Sequence, residues 1–214
     1  MIAAYERDPS RIYAESFRLI AAEASVQSVA DEMRAMAIRL VHACGMPDII
    51  EDLRWSDSAV THGQDALRNG AAIFCDAEMV ARGVNLRALP QGTYPIVTLN
   101  RPEVEDCAKT QGMTRSAAAV DLWDTRLAGA VVAIGNAPTA LFRLLERVTG
   151  GGPRPALILG FPVGFVGAAE SKMALATLDH GVPYVTLLGR RGGSAMAAAA
   201  VNALTLGLDG DGIA

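Results

Sequence analysis

At 214 residues, with 51% hydrophobic and 20% charged content, the chain suits one α/β domain with a sizeable core and little disorder. A net charge of −4, without runs of like charge, argues against a nucleic-acid face or a basic membrane-surface patch. No apolar stretch has the roughly 18 residues of a membrane span and residues 1–10 lack a signal-peptide core, so a soluble, cytoplasmic protein is expected.

Taken in chain order, residues 12–23 read as a first helix, with Ile12, Phe17, Leu19 and Ile20 among polar positions. Residues 30–41 give a clearer one. Met33, Met36, Ala37, Leu40, Val41 and Cys44 recur at helical spacing, Gly45 provides a stop and Pro47 prevents continuation. Five short apolar runs follow, at 71–76, 94–99, 130–135, 155–160 and 183–188. Continuous apolar runs of strand length mark a sheet covered on both faces. Helices are expected between them near 114–127, 138–148, 167–179 and 192–206. The alternation predicts a mostly parallel five-stranded sheet flanked by helices on both faces, as a single domain over 1–214. Residues 207–214 are expected to form a frayed tail.

In open α/β sheets ligands bind beyond the carboxyl ends of the strands. Three segments there open helices: 135–140 (GNAPTA), 160–167 (GFPVGFVG) leading to Glu170-Ser171-Lys172, and 189–194 (GRRGGS). Each presents backbone N–H groups at a helix start, a natural anion site, and each also reads as ordinary turn chemistry. Neither GxGxxG nor GxxxxGK[ST] is present, which argues against a nucleotide. Arg115, Arg190 and Arg191 lie near these segments, and arginine grips carboxylates bidentately.

Cys44, Cys75 and Cys107 match no zinc pattern and read as small apolar residues. Of three histidines, His62 and His180 read as structural. His42 falls in the last turn of its helix, roughly opposite the core stripe, on a side shared with Ala35 and Ile38. A helix C-terminus favours a positive charge, which suits a general acid. On pattern alone, both a structural histidine and a ligand-facing one remain open.

Several segments carry a resemblance to one family along nearly the whole chain. They are 12–17 (IYAESF), 41–45 (VHACG), 75–80 (CDAEMV), 114–119 (TRSAAA), 132–142 (VAIGNAPTALF), 160–172 (GFPVGFVGAAESK) and 189–195 (GRRGGSA). The chain resembles the precorrin-8X methylmutases of cobalamin biosynthesis. The resemblance implies an isomerase that converts precorrin-8X to hydrogenobyrinate by moving a methyl group from C-11 to C-12. It implies a homodimer with active sites at the subunit interface, and no cofactor, metal, nucleic acid or membrane. A cobalt-precorrin-8 methylmutase of the anaerobic branch is the alternative. The family's catalytic histidine matches His42, its substrate-contacting serine matches Ser16, and Arg115 matches a motif arginine. Loops and resemblance together give an expected site with His42 catalytic and Ser16, Arg115, Asn136, Gly164, Lys172, Arg190 and Ser194 binding substrate.

Overall fold

The computed structural model describes residues 5–206 and 208. The tail expected at 207–214 therefore lies outside the described residues, apart from Leu208. Among the described residues fifteen α-helical and β-strand elements succeed one another: α1 (Pro9–Glu23), α2 (Asp31–Cys44), β1 (Leu53–Trp55), α3 (Ala59–Arg68), β2 (Ile73–Cys75), α4 (Glu78–Gly83), β3 (Pro95–Val97), α5 (Pro102–Gln111), α6 (Arg115–Asp121), β4 (Val131–Ile134), α7 (Pro138–Thr149), β5 (Leu157–Gly160), α8 (Ala168–Thr177), β6 (Tyr184–Leu187) and α9 (Ser194–Leu204). No described helix is long and apolar enough to cross a membrane.

The sheet has six strands, in the order β1-β6-β5-β4-β2-β3, rather than the expected five. The five apolar runs are β2 to β6, and they pair in parallel. The extra strand, β1, pairs antiparallel with β6, Leu53 facing Leu187. It is three residues long and carries exposed Arg54 between Leu53 and Trp55. Such an edge strand has no continuous apolar run to announce it, and a charge on it discourages further pairing.

Side chains on neighbouring strand positions go to opposite faces. Val131, Ala133, Leu157 and Leu159 join a core with α2, α3, α4 and α9. Val132, Ile134 and Ile158 join another with α7 and Leu175 of α8. Every residue of β4 and β5 is buried, which explains why these strands read as unbroken apolar runs.

The helix expected over 114–127 is interrupted. α6 stops at Asp121, and Asp124 takes a left-handed φ of 45° before a 3₁₀ turn over Asp124–Leu127. The break lets fully buried Trp123 stack on Phe74 at 5.1 Å and donate its indole N–H to Thr98 Oγ1 at 3.1 Å.

The chain leaves β2 for α4 on the first face and β4 for α7 on the second. The adjacent strands β2 and β4 thus flank the switch point where open α/β sheets form a ligand crevice. On the first face α2 packs against α9, and α1 lies outermost on α2. Ile20 is the only buried residue of the fifteen in α1.

Candidate active site

Local sequence signals aim the ends of α1 and α2 at each other. Asp8 caps α1, its Oδ1 accepting the N–H groups of Ser10 and Arg11, and Pro9 occupies the first turn. α2 ends on Gly45, whose left-handed φ of 68° suits glycine and whose N–H donates to Val41 at 2.7 Å. One face of α1 carries Tyr13, Ser16 and Phe17 at helical spacing, and it meets Arg39 and His42 one turn apart on α2.

Ser16 Oγ lies 2.8 Å from His42 Nδ1. The Tyr13 ring tilts over the imidazole at 5.2 Å, and the Phe17 ring meets it edge-on at 5.5 Å. The imidazole is thus held by one hydrogen bond and two aromatic contacts, while the residue remains exposed. His42 lines a cleft of about 840 Å³ with Arg11, Glu15, Leu19 and Pro47. That is toward the upper end for ligand pockets, about 300–1,000 Å³. On its other side a cleft of about 260 Å³ continues past Tyr13, Arg39, Ala195 and Ala199 of α9. Cys44, two residues on, does not join the imidazole: its thiol donates to the carbonyls of Val41 and Met46.

The other expected residues gather along the carboxyl edge of the sheet. Arg115 is exposed beyond β3 and donates from Nη2 to the Leu99 carbonyl and Asn100 Oδ1. Asn136 is exposed after β4, and Ser194 is half-buried at the start of α9. Gly164 donates its N–H to the Arg190 carbonyl, and the Arg190 guanidinium lies 5.2 Å over the Phe165 ring. Lys172 is fully buried, its Nζ donating to the Arg191 carbonyl, and burial lowers its pKa to about 8. None of Arg115, Asn136, Gly164, Lys172, Arg190 and Ser194 lines either cleft at His42; Ala195, next to Ser194, does. His180 is buried between the Leu175 carbonyl and the Val182 N–H.

The helix-start N–H groups read as anion sites are largely engaged within the protein. Buried Asp76 accepts from Gly135, Asn136 and Ala137 at 2.7 to 3.0 Å, so a carboxylate of the chain occupies the switch-point crevice. Burial raises the pKa of Asp76, and the three N–H groups act against that shift. Gly193 donates to the Phe161 carbonyl. A Cβ on Gly192 would run into the carbonyl oxygens of Phe161 and Pro162. The 160–167 and 189–194 loops therefore interlock.

Sequence reasoning missed four contributors. Tyr13 and Phe17 flank Ser16 at i and i+4 spacing, a signal that was present. Arg39 stands three residues before His42, also within reach of pattern. Asp76 gave no local sign, since its partners lie about sixty residues on. Arg191, noted near the site, makes ion pairs with Asp48 at 2.6 Å and Asp52 at 2.9 Å, tying its loop to the 3₁₀ turn after α2. Arg191 holds the Asp48 carboxyl below the usual carboxylate range.

The fold and the cleft define an α/β enzyme whose candidate catalytic group is a helix-end imidazole open to a large ligand. The profile of the family described as precorrin-8X methylmutase matches residues 11–206. A precorrin-8X methylmutase from Pseudomonas aeruginosa is 56% identical over 200 residues, covering 94% of this chain and 96% of that one. A cobalt-precorrin-8 methylmutase from Salmonella typhimurium is 41% identical, with 94% and 96% covered. The solved precorrin-8X methylmutase from Thermus thermophilus superposes with a TM-score of 0.83 at 38% identity, covering 94% of this chain and 99% of that one. The chain belongs to the precorrin-8X methylmutase family. Its activity is that of a precorrin-8X or cobalt-precorrin-8 methylmutase, an isomerase of corrin-ring biosynthesis.

Proposed function

We propose that this enzyme converts precorrin-8X to hydrogenobyrinate and that His42 is its general acid. The observation that carries the reading is the imidazole itself. Ser16 engages Nδ1 at 2.8 Å, Nε2 makes no hydrogen bond to a described residue, and the residue lines a cleft of about 840 Å³. With Ser16 accepting from Nδ1–H, the imidazolium form carries its transferable proton on Nε2.

Donation from His42 to the ring-C nitrogen of the macrocycle withdraws electrons from the neighbouring carbon. The methyl group then shifts from C-11 to C-12: the carbon–methyl bond at C-11 breaks as the one at C-12 forms. The reaction is an isomerisation, so a proton given to the ring is matched by one lost from it. General acid assistance of this kind contributes about 10² to 10⁴-fold, and fixed geometry supplies the rest. Arg115, Asn136, Gly164, Arg190 and Ser194 form the rim that meets the peripheral carboxylates. Lys172 acts on the substrate through the loop it supports.

Identities of 56% and 54% to two precorrin-8X methylmutases, against 41% and 34% to two cobalt-precorrin-8 methylmutases, support the cobalt-free substrate. A homodimer completes the site, the second copy covering α1. The support is that α1 exposes Ile12, Tyr13 and Leu19 beside His42. Incubating the purified protein with precorrin-8X, without added cofactor, tests the reading: a change of the visible spectrum to that of the corrin is expected. An unchanged spectrum overturns it.

A further inference from the structure

One buried carboxylate has no part in the chemistry proposed for His42. Asp76 is the first residue after β2 and is only 2% exposed, and its N–H donates to the Ala133 carbonyl of β4 at 3.3 Å. Among the described residues no cation pairs with it. Its partners are instead the N–H groups of the turn that opens α7. Oδ1 accepts from Gly135 at 2.9 Å, and Oδ2 accepts from Asn136 at 3.0 Å and from Ala137 at 2.7 Å. The two N–H groups on Oδ2 belong to the two peptide groups that flank the Asn136 Cα. Both planes are therefore fixed, and the direction of the Asn136 side chain follows from them. The turn is also held from behind. Gly135 is buried, and a Cβ there would lie 2.8 Å from the Ser194 Cα and the Ala197 Cβ of α9 and 2.9 Å from Val80 Cγ2 of α4. Asn136 nevertheless stands exposed, and its side-chain amide makes no hydrogen bond to a described residue.

We propose, on the reading that Asn136 meets the substrate, that Asp76 is a positioning residue of the active site: its carboxylate locks the 135–137 turn so that the Asn136 amide is fixed in advance for a peripheral carboxylate of the macrocycle. N–H groups that donate to a carboxylate make hydrogen bonds roughly twice as strong as neutral ones. The start of α7, a helix of twelve residues, favours a negative charge there as well. A side chain on a backbone already locked loses less conformational freedom when it binds. Asp76 also fills the anion position at this helix start. The carboxylates of the substrate are thereby kept out of the crevice and left to meet the Asn136 side chain at its rim.

Two measurements test the proposal. In the unmodified protein without ligand, amide hydrogen exchange followed by NMR should be as slow at Asn136 and Ala137 as in β4. Exchange at the rate of an open loop would overturn the proposal, and this readout needs no variant to fold. The second is a double-mutant cycle in full-length protein with precorrin-8X. Asn136→Ala is expected to raise KM about 10-fold, as for loss of a hydrogen bond to a charged group. Asp76→Asn preserves shape but turns an N–H₂ group toward a backbone N–H, and should raise KM about 3 to 10-fold. In both variants kcat should change less than KM. With Asn136→Ala already present, Asp76→Asn should raise KM by less than about 2-fold, since residues that act through one another are not additive. Losses that multiply would mean that Asp76 serves the fold alone, and an unchanged KM in Asp76→Asn would mean that the turn needs no carboxylate; either overturns the proposal. An unchanged KM in Asn136→Ala, with precorrin-8X still converted, leaves the function intact and removes the roles of Asn136 and Asp76 together. An unmodified protein that converts no precorrin-8X removes the substrate reading and the proposal with it.

Discussion

On the proposed acid role, the 2.8 Å contact between Ser16 Oγ and His42 Nδ1 does for the imidazole what a triad carboxylate does for its histidine: it fixes the ring and leaves Nε2 for the ligand. A neutral hydroxyl is a weaker partner than a carboxylate, and the Tyr13 and Phe17 rings share the task. A single neutral hydrogen bond contributes about 0.5–1.5 kcal/mol. Ser16→Ala should therefore lower kcat about 3 to 10-fold, with a smaller effect on KM, in steady-state assays by visible absorbance. A change confined to KM would show that Ser16 binds substrate without orienting the acid. At this scale the sequence was partly legible. Helical geometry put His42 opposite the core stripe, and it is exposed on a cleft. Its pairing with Ser16, twenty-six residues away, depends on how α1 crosses α2, which no local pattern encodes.

Between elements, the 189–194 loop is fixed from three directions. Arg191 reaches Asp48 and Asp52, Gly193 donates to Phe161, and Lys172 of α8 donates to the Arg191 carbonyl. Lys172 is fully buried and its pKa lies at about 8. The unfolded chain keeps this proton up to the ordinary lysine value near 10.5, so between the two values the unfolded state binds more protons. Stability contributed by this group therefore rises with pH from about 8 to 10.5, and below 8 the full cost of the buried charge, about 3 kcal/mol, is present. Denaturant midpoints of the unmodified protein should rise relative to those of Lys172→Met across that window. Parallel profiles would contradict the buried ammonium. Strands β2 to β6 were legible because burial on both faces writes an unbroken apolar run. β1 was not, because an edge strand of three residues with Arg54 in its middle carries no such run. The end of α6 was hidden because neither glycine nor proline follows Asp121 until Gly129, and the left-handed turn falls on Asp124, where an aspartate is a weaker signal than a glycine.

For the whole molecule, the outermost helix is the least buried, and it supplies Tyr13, Ser16 and Phe17, the three side chains that hold the imidazole. Exposed Ile12, Tyr13 and Leu19 on α1 form an apolar surface of the kind that marks a protein contact. Sedimentation at micromolar concentration should give a mass near twice the 22.4 kDa of one chain. Ile12→Asp should shift the protein toward the monomer and reduce turnover with it; a fully active monomer would contradict the interface reading. His42→Ala is mixed with precorrin-8X at saturating concentration and its visible spectrum is followed through a single turnover. The account predicts a bound, unconverted precorrin-8X spectrum where the unmodified enzyme gives the corrin. Conversion at the unmodified rate would contradict it.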